Sequence, residues 1–126
     1  MFHIRRIYDD VLPVNKEAIE QVKAILRERF SALDEAEIEG LGEQLRNPFK
    51  KRFQTVLYVA EKRDRRVQGF AIVLYEPELR FSYLEFIATP KRLTSRGIGG
   101  VLYEWVREEA AAVGSQGLFF ECLPDD

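Results

Sequence analysis

The chain has 126 residues, a length typical of one domain. Hydrophobic residues make up 46% of it and charged residues 32%, a balance that excludes an intrinsically disordered protein. The formal net charge is −2, which argues against a nucleic-acid partner because dedicated nucleic-acid binders usually present a strongly basic face.

Cysteine usage and hydropathy indicate the compartment. The single cysteine, Cys122, cannot build a disulfide framework and fits a reducing compartment. The longest apolar run, 70–75, is far shorter than the ~20 residues of a membrane-spanning helix. The first residues carry charges with no apolar stretch behind them, unlike a signal peptide. We therefore expect a cytoplasmic protein without a membrane partner.

The first half of the chain predicts one strand and two helices. A weak alternation over 4–8 is typical of a strand, and apolar residues at helical spacing predict a helix over 14–30. Asp34 can cap a second helix that extends to Leu45, with Ile38 and Leu41 on its apolar stripe.

The second half predicts a sheet. Three β-rich runs, 53–60, 67–75 and 81–89, are joined by short polar turns, which indicates an antiparallel meander. A polar loop then leads into a helix that Gly114 ends, and 117–122 predicts a last strand. The unit from 81 to 122 is therefore a strand–helix–strand crossover with parallel strands. The fold class is α+β: a mixed sheet flanked by helices.

The segment with chemical meaning is Thr94-Ser95-Arg96-Gly97-Ile98-Gly99-Gly100. Glycines between a strand and a helix let a ligand approach the backbone, and the unpaired N–H groups of a helix start favour phosphate. A plain strand-to-helix turn that uses glycine for tight packing is the alternative. No Lys-Ser or Lys-Thr follows the glycines, which excludes the P-loop of nucleotide triphosphatases.

A dinucleotide-binding fingerprint is a second alternative. Gly97 and Gly99 fit the first two positions of G-x-G-x-x-G, but the third position is Leu102. Glu121 does follow about twenty residues later, as that motif requires. This reading predicts affinity for NAD.

The same segment resembles the acyl-CoA loop of the GNAT N-acetyltransferases, whose signature is [QR]-x-x-G-x-[GA]. Thr94-Ser95-Arg96-Gly97-Ile98-Gly99 follows the strand that ends Leu84-Glu85-Phe86-Ile87-Ala88-Thr89-Pro90, and Gly97-Ile98-Gly99-Gly100-Val101-Leu102-Tyr103 is similar to the family's G-[IV]-G-x-x-L-[LY]. The order of elements also matches over the entire chain. Thr94 departs from the family pattern, because Arg or Gln usually stands there.

The resemblance implies a function and a set of site residues. The function is transfer of an acetyl group from acetyl-CoA, as co-substrate, to an amine of a small molecule or a protein. Backbone groups of three residues would pair with the pantetheine arm: Ile87, Ala88 and Thr89. The remaining cofactor-binding residues would be Arg92, Thr94, Ser95, Arg96, Gly97, Ile98, Gly99 and Gly100. No metal is implied.

Glu85 is the candidate general base, since it lies on the fourth strand and could take the amine proton directly or through water. The alternative is that it faces solvent or pairs with a cation on a neighbouring strand. The family continues beyond its fifth strand with a helix that often bears a catalytic Tyr, so we expect one GNAT-like domain over 1–126 that is incomplete at its C-terminus. A sheet left open there could pair with a second copy as a homodimer. A non-catalytic acyl-CoA-binding or sensing module is the alternative function, and Thr94 favours it.

Overall fold

The computed structural model describes residues 2–47, 53–93 and 97–120. Its helices and strands follow the chain in this order: β1 (Phe2–Ile7), α1 (Pro13–Arg29), α2 (Glu35–Glu39), α3 (Leu41–Arg46), β2 (Gln54–Lys62), β3 (Val67–Glu76), β4 (Phe81–Ala88), a short 3-10 helix (Lys91–Leu93), α4 (Ile98–Ala112) and β5 (Leu118–Phe120). Among these residues, no helix is both long enough and apolar enough to cross a membrane.

The five strands form one sheet in the order β1-β2-β3-β4-β5. The neighbouring pairs β1–β2, β2–β3 and β3–β4 are antiparallel, and β5 is parallel to β4. The parallel pairing joins Ser82, Tyr83 and Leu84 to 118–120. The predicted mixed sheet with a terminal parallel crossover is therefore confirmed. Residues 121 and 122 of the predicted last strand lie outside the described part of the chain.

The segment after α1 corrects one prediction. The expected single helix from Asp34 to Leu45 is two short helices, α2 and α3, separated by a turn at Gly40. Glycine has poor helix propensity, which permits the break there. Asp34 does cap α2, since its side chain accepts a hydrogen bond from the Ala36 N–H at 3.2 Å.

Helices cover both faces of the sheet. Helices α1, α2 and α3 pack on one face, and that core includes Val22, Leu26, Ile38, Leu41, Leu57, Phe70, Ile72 and Ala88. Helix α4 packs on the other face, where the core residues include Val56, Tyr58, Ala71, Val73, Leu84, Leu102 and Val106. We call these the α1 face and the α4 face. The sheet is thus buried on both sides, as the unbroken apolar run of β3 requires.

Gly69 in β3 lets α4 approach the sheet closely. A Cβ atom at this position would lie 2.9 Å from Leu102 Cδ1 and 3.1 Å from Ile98 Cγ2. It would also lie 3.2 Å from the carbonyl oxygen of Ala88 in β4. The absence of a side chain at Gly69 therefore determines how near the start of α4 lies to the end of β4.

We expect Gly69→Val to lower the free energy of unfolding by about 1–3 kcal/mol, because the added methyl groups must displace α4 from the sheet. Urea denaturation measures the change. Gly100→Ala is the matched control: a Cβ at Gly100 meets no atom within 4 Å, and alanine in a helix reduces the entropy lost on folding. Gly100→Ala should be neutral or stabilising. Equal stability of Gly69→Val and the wild type would contradict the close approach.

We expect the ionisation of Tyr58 to lower the stability of the fold at alkaline pH. Burial raises the pKa of its hydroxyl from the ordinary value of 10.0 to about 12, and the negative charge of Glu109 contributes in the same direction. Between these two pH values the unfolded chain ionises Tyr58 first, so stability present below pH 10 declines as the pH rises toward 12. Urea midpoints measured along this range for the wild type and Tyr58→Phe test the prediction. Identical pH profiles would refute it.

Candidate functional site

The start of α4 has the geometry of an anion-binding site. Gly97 precedes the helix with a φ of 76°, a left-handed conformation that glycine adopts without strain. The first turn consists of Ile98, Gly99 and Gly100. Its N–H groups have no partners earlier in the helix, and the positive end of the helix dipole lies there. A phosphate group is the ligand that such an arrangement favours.

Space is available beside this helix start. Among the described residues, none apart from sequence neighbours has an atom within 4 Å of a Cβ built on Gly97, Gly99 or Gly100, whereas the Cβ at Gly69 is crowded. Packing against the described residues therefore does not require glycine at these three positions. Ile98 is buried against Ala60 and Leu102, so the helix start is anchored on its sheet side and open on its other side.

The 3-10 helix of residues 91–93 precedes the helix start and presents cations. Lys91 and Arg92 are both exposed. The structure thus places Arg92 at the surface of the connection between β4 and α4. Thr94, Ser95 and Arg96, the other three predicted residues of this connection, lie outside the described residues.

A β-bulge in β4 determines where Glu85 points. Ile72 of β3 pairs with Phe86 and the next residue, Val73, pairs with Leu84, so Glu85 is the additional residue. Glu85 and Phe86 line the same cavity on the α1 face. Leu84 and Ile87 contribute to the core on the α4 face. Regular alternation would have placed Glu85 and Phe86 on opposite faces.

The cavity lies between the sheet and helices α1, α2 and α3, and its volume is 570 Å³. Of the described residues that line it, three are carboxylates: Glu37 of α2, Glu43 of α3 and Glu85 of β4. Apolar side chains form much of the remaining wall, among them Leu26, Leu33, Phe53, Ile72 and Phe86. A cationic group attached to an apolar body matches this combination of charge and surface.

Ion pairs hold α2 against α1 and thereby fix one wall of the cavity. Lys23 Nζ lies 2.9 Å from Glu20 Oε2 and 3.2 Å from Glu39 Oε1. Burial by itself lowers the pKa of Lys23, but hydrogen bonds from the ammonium group to these two carboxylates outweigh burial and raise that pKa above its usual value. Arg27 Nη2 contacts Glu35 at 2.7 Å and Glu39 at 3.2 Å.

Of the remaining predicted cofactor residues, Ile87 and Ala88 follow Glu85 in β4, and Thr89 comes directly after the strand. Ile87 is partly buried and packs near Ile98 and Leu102 on the α4 face. Ala88 is buried on the α1 face. The carbonyl oxygen of Thr89 accepts a hydrogen bond from Arg29 Nε at 2.8 Å. These three residues therefore connect the bulge at Glu85 to the glycine-rich start of α4.

Sequence reasoning did not identify Arg29, Glu37, Glu43 or Phe86 as site residues. The sequence marks Glu37 only as a capping-box partner of Asp34 and gives Glu43 no role, and their common cavity depends on the turn at Gly40. Phe86 alternates as an ordinary strand residue, since nothing in its sequence neighbourhood marks the bulge. Arg29 stands at the end of an amphipathic helix, where a basic residue is common.

Neither a family model nor a curated protein sequence matches this chain. Solved structures do match it. Gcn5 from Tetrahymena superimposes with a TM-score of 0.78 at 18% identity, over 97% of this chain and 70% of that one. The aminoglycoside N-acetyltransferase AAC(6')-Iy, solved with the bisubstrate analogue CoA-S-monomethyl-acetylneamine, gives a TM-score of 0.71 at 15% identity, over 100% of this chain and 82% of that one.

A third structure, from Desulfovibrio desulfuricans and described as a GNAT-family acetyltransferase, gives a TM-score of 0.69 at 21% identity, over 97% of this chain and 73% of that one. These identities establish similarity of fold rather than of substrate. The order of elements and the topology of the sheet agree with that similarity over nearly the whole chain. The chain therefore has the fold of the GNAT acetyltransferases.

Proposed function

We propose that this chain is an N-acetyltransferase that uses acetyl-CoA and acts on an amine of a small molecule or a protein. One observation carries the proposal. A single strand, β4, leads at its end to the open glycine-rich start of α4, and its bulge at Glu85 directs a carboxylate into an acidic cavity on the opposite face. An acyl donor and an amine acceptor could thus meet along one strand.

The residues at the start of α4 fit the pyrophosphate of an acyl-CoA. The first-turn N–H groups would donate hydrogen bonds to phosphate oxygens. The absence of side chains at Gly99 and Gly100 would let the phosphates approach the backbone closely. Lys91 and Arg92 add positive charge at the exposed rim. The complex of AAC(6')-Iy with a CoA-containing analogue supports this assignment of the donor.

The cavity fits the acceptor. Its three carboxylates attract a protonated amine, and its apolar walls bury the carbon skeleton that bears the amine. Ion pairs from Lys23 and Arg27 to α2 keep one wall in place. The arrangement favours an acceptor that is cationic before reaction.

The chain's own groups would carry out proton transfer. Acetyl-CoA supplies a thioester carbonyl that an amine can attack. Glu85 would take the proton that the ammonium form must lose, directly or through one water. The amine nitrogen then bonds to the carbonyl carbon, a backbone N–H stabilises the oxyanion, and the carbon–sulfur bond breaks. The nitrogen, positively charged after the attack, gives its second proton to the leaving thiolate, directly or through water, so that an amide and the free CoA thiol result.

A non-catalytic acyl-CoA-binding module is the second candidate, because Thr94 replaces the Arg or Gln that the family signature has there. Both candidates require acyl-CoA binding, and only the first requires Glu85. Binding and turnover therefore separate the two.

Calorimetric titration with acetyl-CoA tests the donor site. We expect the wild type to bind it with a micromolar Kd and Gly99→Asp to lose binding, because a carboxylate in the first helical turn repels the pyrophosphate. Gly99→Asn is the matched control, since it has nearly the same size without the charge and should bind more tightly than Gly99→Asp. An acidic residue also stabilises a helix start, so Gly99→Asp should remain folded.

Titration with NAD is the counterpart experiment. Binding of NAD in place of acetyl-CoA would reject the proposed donor and support the dinucleotide interpretation of the glycines. Absence of acetyl-CoA binding in the wild type would reject both candidate functions.

Glu85→Gln tests the acceptor chemistry. We expect kcat to fall by about 10²–10⁴-fold, because the amide cannot accept the amine proton, while the Kd for acetyl-CoA stays near the wild-type value. Release of free CoA thiol from acetyl-CoA, measured over a panel of small amines and lysine peptides, gives the rate.

Glu37→Gln is the matched control, because it removes the same charge from the same cavity but from α2. It should raise KM for the amine and leave kcat nearly unchanged. Unchanged kcat in Glu85→Gln would remove Glu85 from the mechanism. Acetyl-CoA binding without turnover by the wild type across the panel would favour the binding module.

A further inference from the structure

The last turn of α1 reaches the connection that leads to the glycine-rich helix start. Residues 89–93 form the described part of this connection, which we call the entry segment. We propose that Arg29, assisted by Glu28, is a positioning residue that holds the entry segment in the conformation needed for acyl-CoA binding. This inference rests on the proposed function, since it concerns the donor site described above.

Two consecutive side chains of α1 hold two backbone groups of the entry segment. Arg29 Nε donates to the carbonyl oxygen of Thr89 at 2.8 Å. A carboxylate oxygen of Glu28 accepts a hydrogen bond from the Lys91 N–H. The contacts join residues about sixty positions apart in sequence. The side chains thus supply one donor and one acceptor to a segment outside the strand ladder.

The Arg29 contact is the stronger of the two on physical grounds. Arg29 is half-buried and its acceptor residue, Thr89, is only 8% exposed, so water competes weakly for the bond. Both bonds involve a charged group, so burial rather than charge separates them. Glu28 is exposed, which reduces the strength of its bond to Lys91. We therefore assign the main role to Arg29.

Phe30, the residue after Arg29, also contacts β4. The rings of Phe30 and Phe86 pack edge to face with centroids 5.0 Å apart. Phe86 lines the acidic cavity beside the bulge, and so does Leu33, which follows shortly after α1. The end of α1 therefore supports both the entry segment and the cavity wall.

Positioning matters here because backbone donors bind a ligand only when their directions are fixed in advance. A 3-10 turn closed by the hydrogen bond from Leu93 N to Pro90 O at 2.9 Å gives the entry segment internal order. That bond does not attach the segment to the rest of the domain, whereas the bond to Arg29 does. Loss of this attachment should weaken donor binding more than it lowers stability.

The test compares Arg29→Met, which keeps the length of the side chain but removes its donors, with Arg107→Met, an exposed arginine of α4 that pairs with Glu104. We expect the Kd for acetyl-CoA to rise by up to about tenfold in Arg29→Met, because a segment that has lost a hydrogen bond from a charged group must be ordered when the ligand binds. Arg107→Met should bind like the wild type. Arg29→Lys, which keeps a charged donor, should recover part of the affinity.

Two further readouts distinguish positioning from general destabilisation. Thermal midpoints should be similar for Arg29→Met and Arg107→Met. Amide hydrogen exchange at Lys91 should be faster in ligand-free Arg29→Met, because the neighbouring attachment of the entry segment is lost.

Each outcome bears on the inference. Wild-type affinity for acetyl-CoA in Arg29→Met would overturn it while leaving the proposed function intact. Failure of the wild type itself to bind would overturn the proposed function and this inference together. If Arg29→Met does not fold, Arg29→Gln, which removes the charge and shortens the side chain, decides: weaker binding at an unchanged thermal midpoint supports the inference, and wild-type affinity rejects it.

Discussion

The close contact between α4 and the sheet at Gly69 is the constraint on which the candidate site depends. Ile98 and Leu102 occupy the space that a side chain at position 69 would require, and Ala88 lies beside them at the end of β4. Apolar burial at this contact orients α4, so its first turn opens on the side away from the sheet. Packing thereby fixes the position of Gly97, Gly99 and Gly100, whose backbone torsion angles are otherwise weakly restricted.

The bulge in β4 is the second feature on which the candidate site depends. Strand alternation normally assigns neighbouring residues to opposite faces, but the additional residue at Glu85 places it with Phe86 on the α1 face. The strand then returns to alternation, so Ile87 contributes to the α4 face. One strand consequently carries residues of the acidic cavity and residues that lead to the helix start. The GNAT-fold structures that resemble this chain include acetyltransferases, and this strand is where the proposed chemistry would occur.

Helix α1 packs against the sheet and also carries the cations that pair with α2. Lys23 and Arg27 connect α1 to α2 through ion pairs, and the end of α1 contacts β4 and the entry segment. The carboxylates of these pairs are exposed, so the pairs contribute little to stability in water. The apolar contacts of Val22 and Leu26 with the sheet therefore supply most of the stability of α1, and the ion pairs set the position of α2.

Local sequence patterns determined most of the secondary structure and the fold class. Apolar residues at helical spacing specify α1 and α4, β-rich runs between short turns specify the antiparallel strands, and a crossover helix requires β5 to be parallel to β4. The glycine run also indicated the helix start from sequence, because its residue types permit close approach of a ligand. Only tertiary structure decided the break of the second helix at Gly40, the bulge at Glu85 and the contact of Arg29 with Thr89. The last two depend on residues distant in the chain: strand register comes from the pairing partner, and the reach of a side chain comes from how two elements pack, which no local pattern encodes.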